Sequence, residues 1–118
     1  MIKRGDMFLA KLGPTQGSKT DREHAVVVMS RNAINKTSSI VVVGPVVARG
    51  TRKTEFPSNV VLKAGEGSFA EEFLALGEQV RSIGTARFAK QLGHLAPHSI
   101  TAIRHRTKHC SRLVVFAF

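Results

Sequence analysis

The sequence is poor in cysteine, has no long apolar run and carries no acidic residue in its last third. Its single cysteine, Cys110, excludes an internal disulfide and a cysteine-based metal cluster, and we expect it to be a small buried apolar residue. No apolar run approaches the ~20 residues that a membrane-spanning helix needs. No apolar stretch follows the cations Lys3 and Arg4, so we expect no secretory signal, no membrane contact and a cytoplasmic location.

The length and the charge balance describe a small basic domain. With 118 residues, 42% of them apolar, we expect one domain over residues 1–118 with its own core. There are 18 Lys and Arg against 8 Asp and Glu, which gives a net charge of +10, and every acidic residue lies at or before Glu78. This asymmetry predicts a polyanion or an acidic protein as partner. A basic surface without a specific partner is the alternative.

The apolar pattern predicts a chain of short strands with few helices. We expect strands at 7–12, 25–29, 40–43 (continued or bent through 45–48) and 58–62, and one or two more within 73–83. A helical turn or irregular link is expected at 31–35, a short helix at 85–88 and a longer helix from Pro97 to about Cys110. The apolar segment 113–118 needs cover from the body of the protein or from another subunit.

Two histidine pairs have the spacing of metal ligands on a helix, His94 with His98 and His105 with His109. Pro97 interrupts the first pair, and neither pair has a carboxylate nearby. We therefore expect solvated histidines, no bound metal and no other cofactor.

The residues suited to acid–base chemistry are scattered along the chain. They are His24, which stands beside Arg22 and Glu23, and the segment 78–81, which contains Glu78 and Arg81. RNA carries its own nucleophile, the 2′-OH, so a ribonuclease needs only a base, a proton donor for the leaving oxygen and a cation near the phosphate. His, Glu and Arg side chains suffice for this reaction without a metal, although charged residues are also common at strand ends.

Six sequence blocks follow one another over nearly the whole chain, at 3–18, 26–32, 41–47, 56–62, 78–83 and 92–95. In that order they resemble the patterns RGDIxxADLGPTxGSE, PVLVISND, VIVAPIT, YPxHVxL, DQIRTID and LGxLS of the MazF/PemK toxins, the endoribonucleases of type II toxin–antitoxin pairs. The resemblance implies a mainly β (α+β) fold, a small SH3-like β-barrel with short helices and a C-terminal helix. It also implies a homodimer that cuts single-stranded RNA at short motifs and is neutralised by an acidic antitoxin.

The chain departs from the family pattern at the catalytic positions. His24 stands where the family has a catalytic Arg, and Val47 stands where it has a catalytic Thr. Glu78 matches an Asp that some PemK-type members use as a base, whereas the Arg two residues before that Asp is Leu76 here. Histidine exchanges protons more readily than arginine near neutral pH but is less reliably charged. Valine donates no hydrogen bond, and losing one such donor commonly costs ~10²–10³ in rate.

We therefore expect a metal-independent endoribonuclease that leaves 2′,3′-cyclic phosphate and 5′-OH ends. His24 and Glu78 are the expected acid and base, in either order, with Arg22 and Arg81 stabilising the charge on the phosphate. Alternatively, Arg81 only forms an ion pair with Glu78 or another acid. The residues expected to position RNA are Ser18, Lys19, Arg49, Arg52 and Gln79.

Two other functions stay open at the level of sequence. The replacements at His24 and Val47 suit a protein that binds RNA or an antitoxin without cleaving. A gyrase poison of the related CcdB type is compatible with the fold, but shared fold is a weak warrant for function and no sequence feature favours it.

Overall fold

The structure is a computed structural model that describes residues 2–12, 23–51, 59–66 and 69–110. Within these ranges the strands are β1 (Asp6–Lys11), β2 (Glu23–Val28), β3 (Ile40–Ala48), β4 (Asn59–Leu62), β5 (Phe73–Leu76), β6 (Arg81–Gly84) and β7 (Phe88–His94). The helices are α1 (Asn32–Thr37) and α2 (Pro97–Cys110), and short 3-10 turns occur at Arg49–Thr51, Gly77–Gln79 and Thr85–Arg87.

The strands form one antiparallel sheet in the order β4-β5-β3-β2-β1-β7, with β6 also paired to β3. This confirms a mainly β fold with short helices and a C-terminal helix. In the described residues the end strands β4 and β7 do not pair with each other, so the sheet is open and the expected term "barrel" applies only loosely.

Strand β3 organises the sheet because it has three neighbours. Its first half pairs with β6, its second half with β5, and its middle with β2. The registers of β5 and β6 against β3 differ by three residues, which is the length of the 3-10 turn Gly77–Gln79 between them. Pro45, which has no N–H to donate, lies in β3 where the pairing changes from β6 to β5.

Apolar side chains are buried on both sides of the sheet. Neighbouring residues of a strand point to opposite faces, and in β2 Val27 joins one cluster while Val26 and Val28 join another. The first cluster, with Met7, Val27, Met29, Val46, Val60, Leu62, Phe73, Ala75, Leu95 and Ile103, includes the buried side of α2. In the second, the rings of Phe8 and Phe88 stack with centroids 4.3 Å apart.

Helix α2 is fixed to the sheet at its N-terminal end. Pro97 occupies the first helical position, where its missing N–H is harmless. The Glu66 carboxylate accepts a hydrogen bond of 2.7 Å from Ser99 Oγ and one of 3.4 Å from the Ala96 N–H. Gly5 has a φ of +94°, and a Cβ there would overlap the side chain of Ile100, so this close approach requires glycine.

Most of the predicted elements are present, with shifts of one or two residues at their ends. Strand β3 runs unbroken through Gly44 and Pro45, the segment 73–83 contains two strands, and α2 begins and ends as predicted. Strand β7 was not expected. The short helix predicted at 85–88 is a 3-10 helix of three residues, Thr85–Arg87, that precedes β7. The apolar segment 113–118 lies outside the described residues.

The histidine pair at the start of α2 does not share a helical face. His94 is in β7, where its Nδ1 lies 2.7 Å from Asp6 Oδ1, whereas His98 is in the first turn of α2. The side chain of Cys110 is not among those described, so its expected burial stays a prediction. No helix in the described part of the chain is long and apolar enough to cross a membrane.

Candidate active-site cleft

An open cleft of about 300 Å³ lies beside the second half of β3. It is formed where β2 begins, where β1 has just ended and where the turn between β5 and β6 faces β3. Its lining residues are Leu12, His24, Pro45, Val47, Leu76, Gln79 and Arg81.

The strand registers explain why these residues meet. β2 and β3 are aligned with Val26 opposite Pro45, and the same register continued by two residues brings His24 opposite Val47. Arg81 comes from β6, which also pairs with β3. It is the first residue of β6 and lies opposite Val43. The cleft is thus assembled from four strands, β2, β3, β5 and β6, together with Leu12 after β1 and Gln79 in the turn between β5 and β6.

The lining combines an apolar wall with three polar side chains. His24, Gln79 and Arg81 are exposed, and they supply an imidazole, an amide and a guanidinium. Within the described residues Arg81 forms no ion pair, so the alternative in which a carboxylate neutralises it gains no support. The cleft therefore offers one group that can exchange a proton, one permanent cation and one hydrogen-bonding amide.

Val47 is half-buried in the cleft and contributes two methyl groups. A side chain of this kind cannot donate a hydrogen bond to a phosphate oxygen. Among the described residues that line the cleft, the side chains that can donate a hydrogen bond are those of His24, Gln79 and Arg81.

Glu78 is adjacent to the cleft in sequence but is directed elsewhere. Its two carboxylate oxygens accept hydrogen bonds of 3.1 and 2.8 Å from the side-chain amide of Asn59, and Glu78 is not among the described residues that line the cleft. Arg106 of α2 donates a bond of 3.3 Å to the Asn59 carbonyl. The Glu78 carboxylate thus belongs to a polar contact between the Gly77–Gln79 turn, β4 and α2.

Of the remaining predicted site residues, the structure describes Arg49. Arg49 is engaged by Glu72, with Nη1 and Oε1 3.2 Å apart, on a partly exposed surface. Ser18, Lys19, Arg22 and Arg52 lie outside the described residues, so their assignment stays a prediction. Of the predicted residues, the structure brings together His24, Gln79 and Arg81.

Sequence reasoning missed the apolar lining and the partner of Glu78. Leu12 and Pro45 line the cleft, but neither has a side-chain chemistry that marks it in a sequence. Asn59 carried a usable signal, because it is a buried amide at the start of the apolar strand β4 and a buried amide needs a hydrogen-bonding partner.

Comparison with protein families identifies the chain. Residues 3–110 match the family described as PemK-like, MazF-like toxin of type II toxin-antitoxin system. The chain belongs to the PemK/MazF toxin family. A curated protein from Staphylococcus saprophyticus named Endoribonuclease MazF is 28% identical over 105 residues, which cover 89% of this chain and 87% of that protein.

Solved structures of PemK/MazF relatives share the fold. A MazE–MazF complex from Deinococcus radiodurans (Form-II) aligns with a TM-score of 0.75 at 21% identity, covering 92% of this chain and 93% of that chain. An endoribonuclease in complex with its cognate antitoxin, from a mycobacterial species, aligns with a TM-score of 0.74 at 18% identity and covers 93% and 94%. The family match includes every residue that lines the cleft.

Proposed function

We propose that this protein is an endoribonuclease toxin that cuts single-stranded RNA at short sequence motifs in the cytoplasm without a metal ion. Membership of the PemK/MazF family supports the toxin role, and the Staphylococcus saprophyticus relative is named an endoribonuclease. The observation that carries the proposal is the cleft itself, in which an imidazole, an amide and a guanidinium face the same open space. Cleavage by the 2′-OH of RNA requires a base, a proton donor and a cation, and the cleft supplies one proton-exchanging group, His24, and the cation, Arg81.

In the proposed reaction the RNA supplies the nucleophile. The 2′-oxygen bonds to the adjacent phosphorus as its proton leaves, the bond from phosphorus to the 5′-oxygen breaks, and the 5′-oxygen takes up a proton. The products are a 2′,3′-cyclic phosphate and a 5′-OH, and no oxidant or cofactor is consumed. His24 exchanges one of the two protons, Arg81 stabilises the negative charge on the phosphorane oxygens, and Gln79 orients the RNA.

Glu78 has a positioning role in this proposal. Its carboxylate is bound to Asn59 through both oxygens, so acting as the acid–base counterpart of His24 would require it to leave that amide. The Glu78–Asn59 contact instead holds the turn that carries Gln79 and leads into Arg81. Solvent water then exchanges the second proton in the open cleft.

The proposed protein partners are an acidic antitoxin and a second copy of the chain. The mycobacterial and Deinococcus neighbours are solved with their antitoxins, and the excess of 18 basic over 8 acidic residues suits an acidic partner. A homodimer is consistent with the family and with the apolar segment 113–118, which calls for cover.

Val47 supports a second candidate function, RNA or antitoxin binding without cleavage. The side chain offers no donor in the cleft, and its presence removes one interaction that would stabilise the transition state. In that case the cleft would still attract RNA through Arg81 but would release it intact.

The deciding experiment incubates purified, antitoxin-free protein with a long single-stranded RNA in excess EDTA and determines the chemistry of the fragment ends. Discrete fragments with 2′,3′-cyclic phosphate and 5′-OH ends are expected. Intact RNA from a protein shown to be folded would reject the nuclease proposal. Salt-sensitive RNA binding without products would then support the binding function.

A further inference from the structure

Asn59, the first residue of β4, lies beside the cleft and is joined to its wall at two points. In the β4–β5 pairing Asn59 is opposite Leu76, whose side chain lines the cleft. The Asn59 Nδ2 donates hydrogen bonds of 2.8 and 3.1 Å to the two carboxylate oxygens of Glu78, the neighbour of the lining residue Gln79. Asn59 is therefore joined to both ends of the short segment that carries Leu76 and Gln79.

Helix α2 in turn contacts Asn59. Arg106 Nη1 donates a hydrogen bond of 3.3 Å to the Asn59 carbonyl. One turn earlier on α2, Ile103 is fully buried in the same apolar cluster as Val60, the next residue of β4. The helix is thus attached to the start of β4 by a polar and an apolar contact, and Asn59 connects it with the Gly77–Gln79 turn.

The two halves of the cleft are held by different contacts. His24 belongs to β2, whose position is set by its pairing with β1 and β3. Gln79 is exposed in a three-residue turn, and Arg81 begins β6 two residues later. The Glu78–Asn59 contact attaches this turn to β4. Because a displacement of about 1 Å can cost ~10² in rate, such an attachment affects chemistry that it does not touch.

We propose that Asn59 and Arg106 are positioning residues of the cleft, which fix Gln79 and Arg81 through Glu78 and couple helix α2 to the site. The described lining residues of the cleft do not include Asn59, Glu78 or Arg106, so these three act through the residues that they hold. The proposal rests on the proposed function, because it assigns further residues to the same reaction.

The chemistry of the Glu78–Asn59 pair makes its geometry specific. Asn59 is only 6% exposed, and an amide at this depth needs an acceptor, which the carboxylate supplies in charge-assisted bonds. The ionised carboxylate can only accept, so the amide has to donate. Exchanging the two side chains would reverse the direction of the hydrogen bond and keep the contact.

The test makes this exchange. Asn59→Asp places a second carboxylate against Glu78, and the repulsion between them breaks the contact. Asn59→Asp combined with Glu78→Gln restores one carboxylate, one amide and the original net charge. Asn32→Asp is the matched control for the added negative charge, because Asn32 is exposed in α1 and the replacement keeps the oxygen that accepts the Arg4 N–H.

Initial rates on single-stranded RNA in EDTA give kcat and KM for each variant, and circular dichroism gives its folded fraction. Asn59→Asp should lower kcat by about 10², and the exchanged pair should recover most of that loss, whereas Asn32→Asp should match the unchanged protein. The limb of the pH–rate profile that reports His24 should persist in both Asn59 variants, because β1 and β3 hold His24.

Arg106→Met tests the coupling of α2 to the cleft. We expect a kcat about tenfold lower, whereas Lys36→Met, which removes the same charge from an exposed position of α1, should leave kcat unchanged. Combined with Asn59→Asp, the loss should be less than additive, because both changes release the same turn. Additive losses would show that Arg106 does not act through Asn59.

Two results would overturn the role of Asn59. An exchanged pair that is folded but as slow as Asn59→Asp would show that the reaction needs the Glu78 carboxylate itself. An unchanged kcat in folded Asn59→Asp would show that the contact serves stability alone. If Asn59→Asp does not fold, the exchanged pair and Arg106→Met still decide between these roles.

Binding of a 2′-O-methyl RNA, which cannot be cut, separates this inference from the nuclease proposal. Asn59→Asp should bind this RNA about tenfold more weakly than Asn32→Asp does, and the exchanged pair should bind like the unchanged protein. Equal affinities of the two single variants would overturn the inference. A failure of the nuclease proposal would appear separately, as unmodified RNA left intact by the unchanged protein.

Discussion

At the scale of single residues, Val47 is the lining side chain whose replacement by threonine would add a hydrogen-bond donor to the cleft. It faces the cleft opposite His24 in the extended register and supplies no donor. Val47→Thr replaces a methyl with a hydroxyl of similar size, and we expect RNA cleavage to rise by up to ~10² because one donor at a developing charge contributes that much. Initial cleavage rates in EDTA measure this. Val61→Thr, on an exposed position of β4, is the control, and equal rates for both variants would contradict the prediction.

His24 tests the acid–base chemistry directly. We expect His24→Ala to lower kcat by ~10²–10⁴, the usual contribution of a positioned proton-transfer group. The limb of the pH–rate profile that reports the histidine should disappear in the variant. His98→Ala, which removes an exposed imidazole from the first turn of α2, should change neither the rate nor the profile. A profile that kept its shape in His24→Ala would remove His24 from the mechanism.

Two substitutions of Glu78 distinguish a role in proton transfer from a role in holding the Gly77–Gln79 turn. Glu78→Gln keeps an oxygen for the Asn59 amide, so we expect most of the cleavage rate to survive. Glu78→Ala leaves that buried amide without this acceptor and should lower the free energy of unfolding by about 1–3 kcal/mol, measured by urea denaturation. If Glu78→Gln reduced kcat as far as His24→Ala does, Glu78 would be the acid–base counterpart that the family resemblance suggested.

At the scale of secondary-structure elements, the attachment of α2 depends on one carboxylate. Glu66 accepts bonds from Ser99 Oγ and the Ala96 N–H and adds negative charge where the helix begins. We expect Glu66→Ala to lower the free energy of unfolding by about 1–2 kcal/mol without changing kcat. Glu71→Ala, at an exposed acid preceding β5, should have little effect.

A double-mutant cycle with Ser99→Ala isolates the Glu66–Ser99 contact from other effects of the two substitutions. The two losses should be less than additive, because each single change already breaks the same hydrogen bond. Full additivity would show that the Glu66–Ser99 hydrogen bond contributes no coupling energy to the free energy of unfolding.

The secondary-structure elements differ in how well the sequence predicts them. Strand β3 and helix α2 were predictable because the first is rich in β-branched residues and the second begins with Pro97 before an apolar repeat. Strand β7 was missed because it is an edge strand with few buried side chains, so its seven residues show no clear apolar alternation.

The candidate site was predictable only as a set of residue types. The sequence indicates His24 and Arg81, but their meeting depends on the registers of β2 and β6 against β3. The direction of Glu78 depends on Asn59, which is 19 residues away; an amide beside an apolar strand signals the need for a partner, but the fold decides that this partner is Glu78. Side-chain direction within a 3-10 turn is set by such tertiary contacts, and a motif cannot supply it.

At the scale of the whole molecule, the distribution of charge along the chain does not follow the distribution of the apolar clusters. The apolar clusters occupy both sides of the sheet, and every acidic residue lies at or before Glu78, so the last third of the chain adds only positive charge. Self-repulsion of this kind is relieved by a polyanion, whether it is a substrate or an inhibitor. An acidic partner and RNA are therefore expected to compete through the electrostatics of the molecule, even where they touch different residues.

This competition gives the last prediction. An acidic oligopeptide should inhibit cleavage of single-stranded RNA, and the inhibition should weaken as salt rises from about 0.05 to 0.5 M, roughly the range over which the Debye length falls from above to below 10 Å. The physical reason is the net charge of +10, which raises the local concentration of any polyanion. Cleavage rates at each salt concentration, with a neutral peptide of equal length as control, measure the effect. Inhibition by both peptides alike, or inhibition that salt leaves unchanged, would show that charge does not govern access to the cleft.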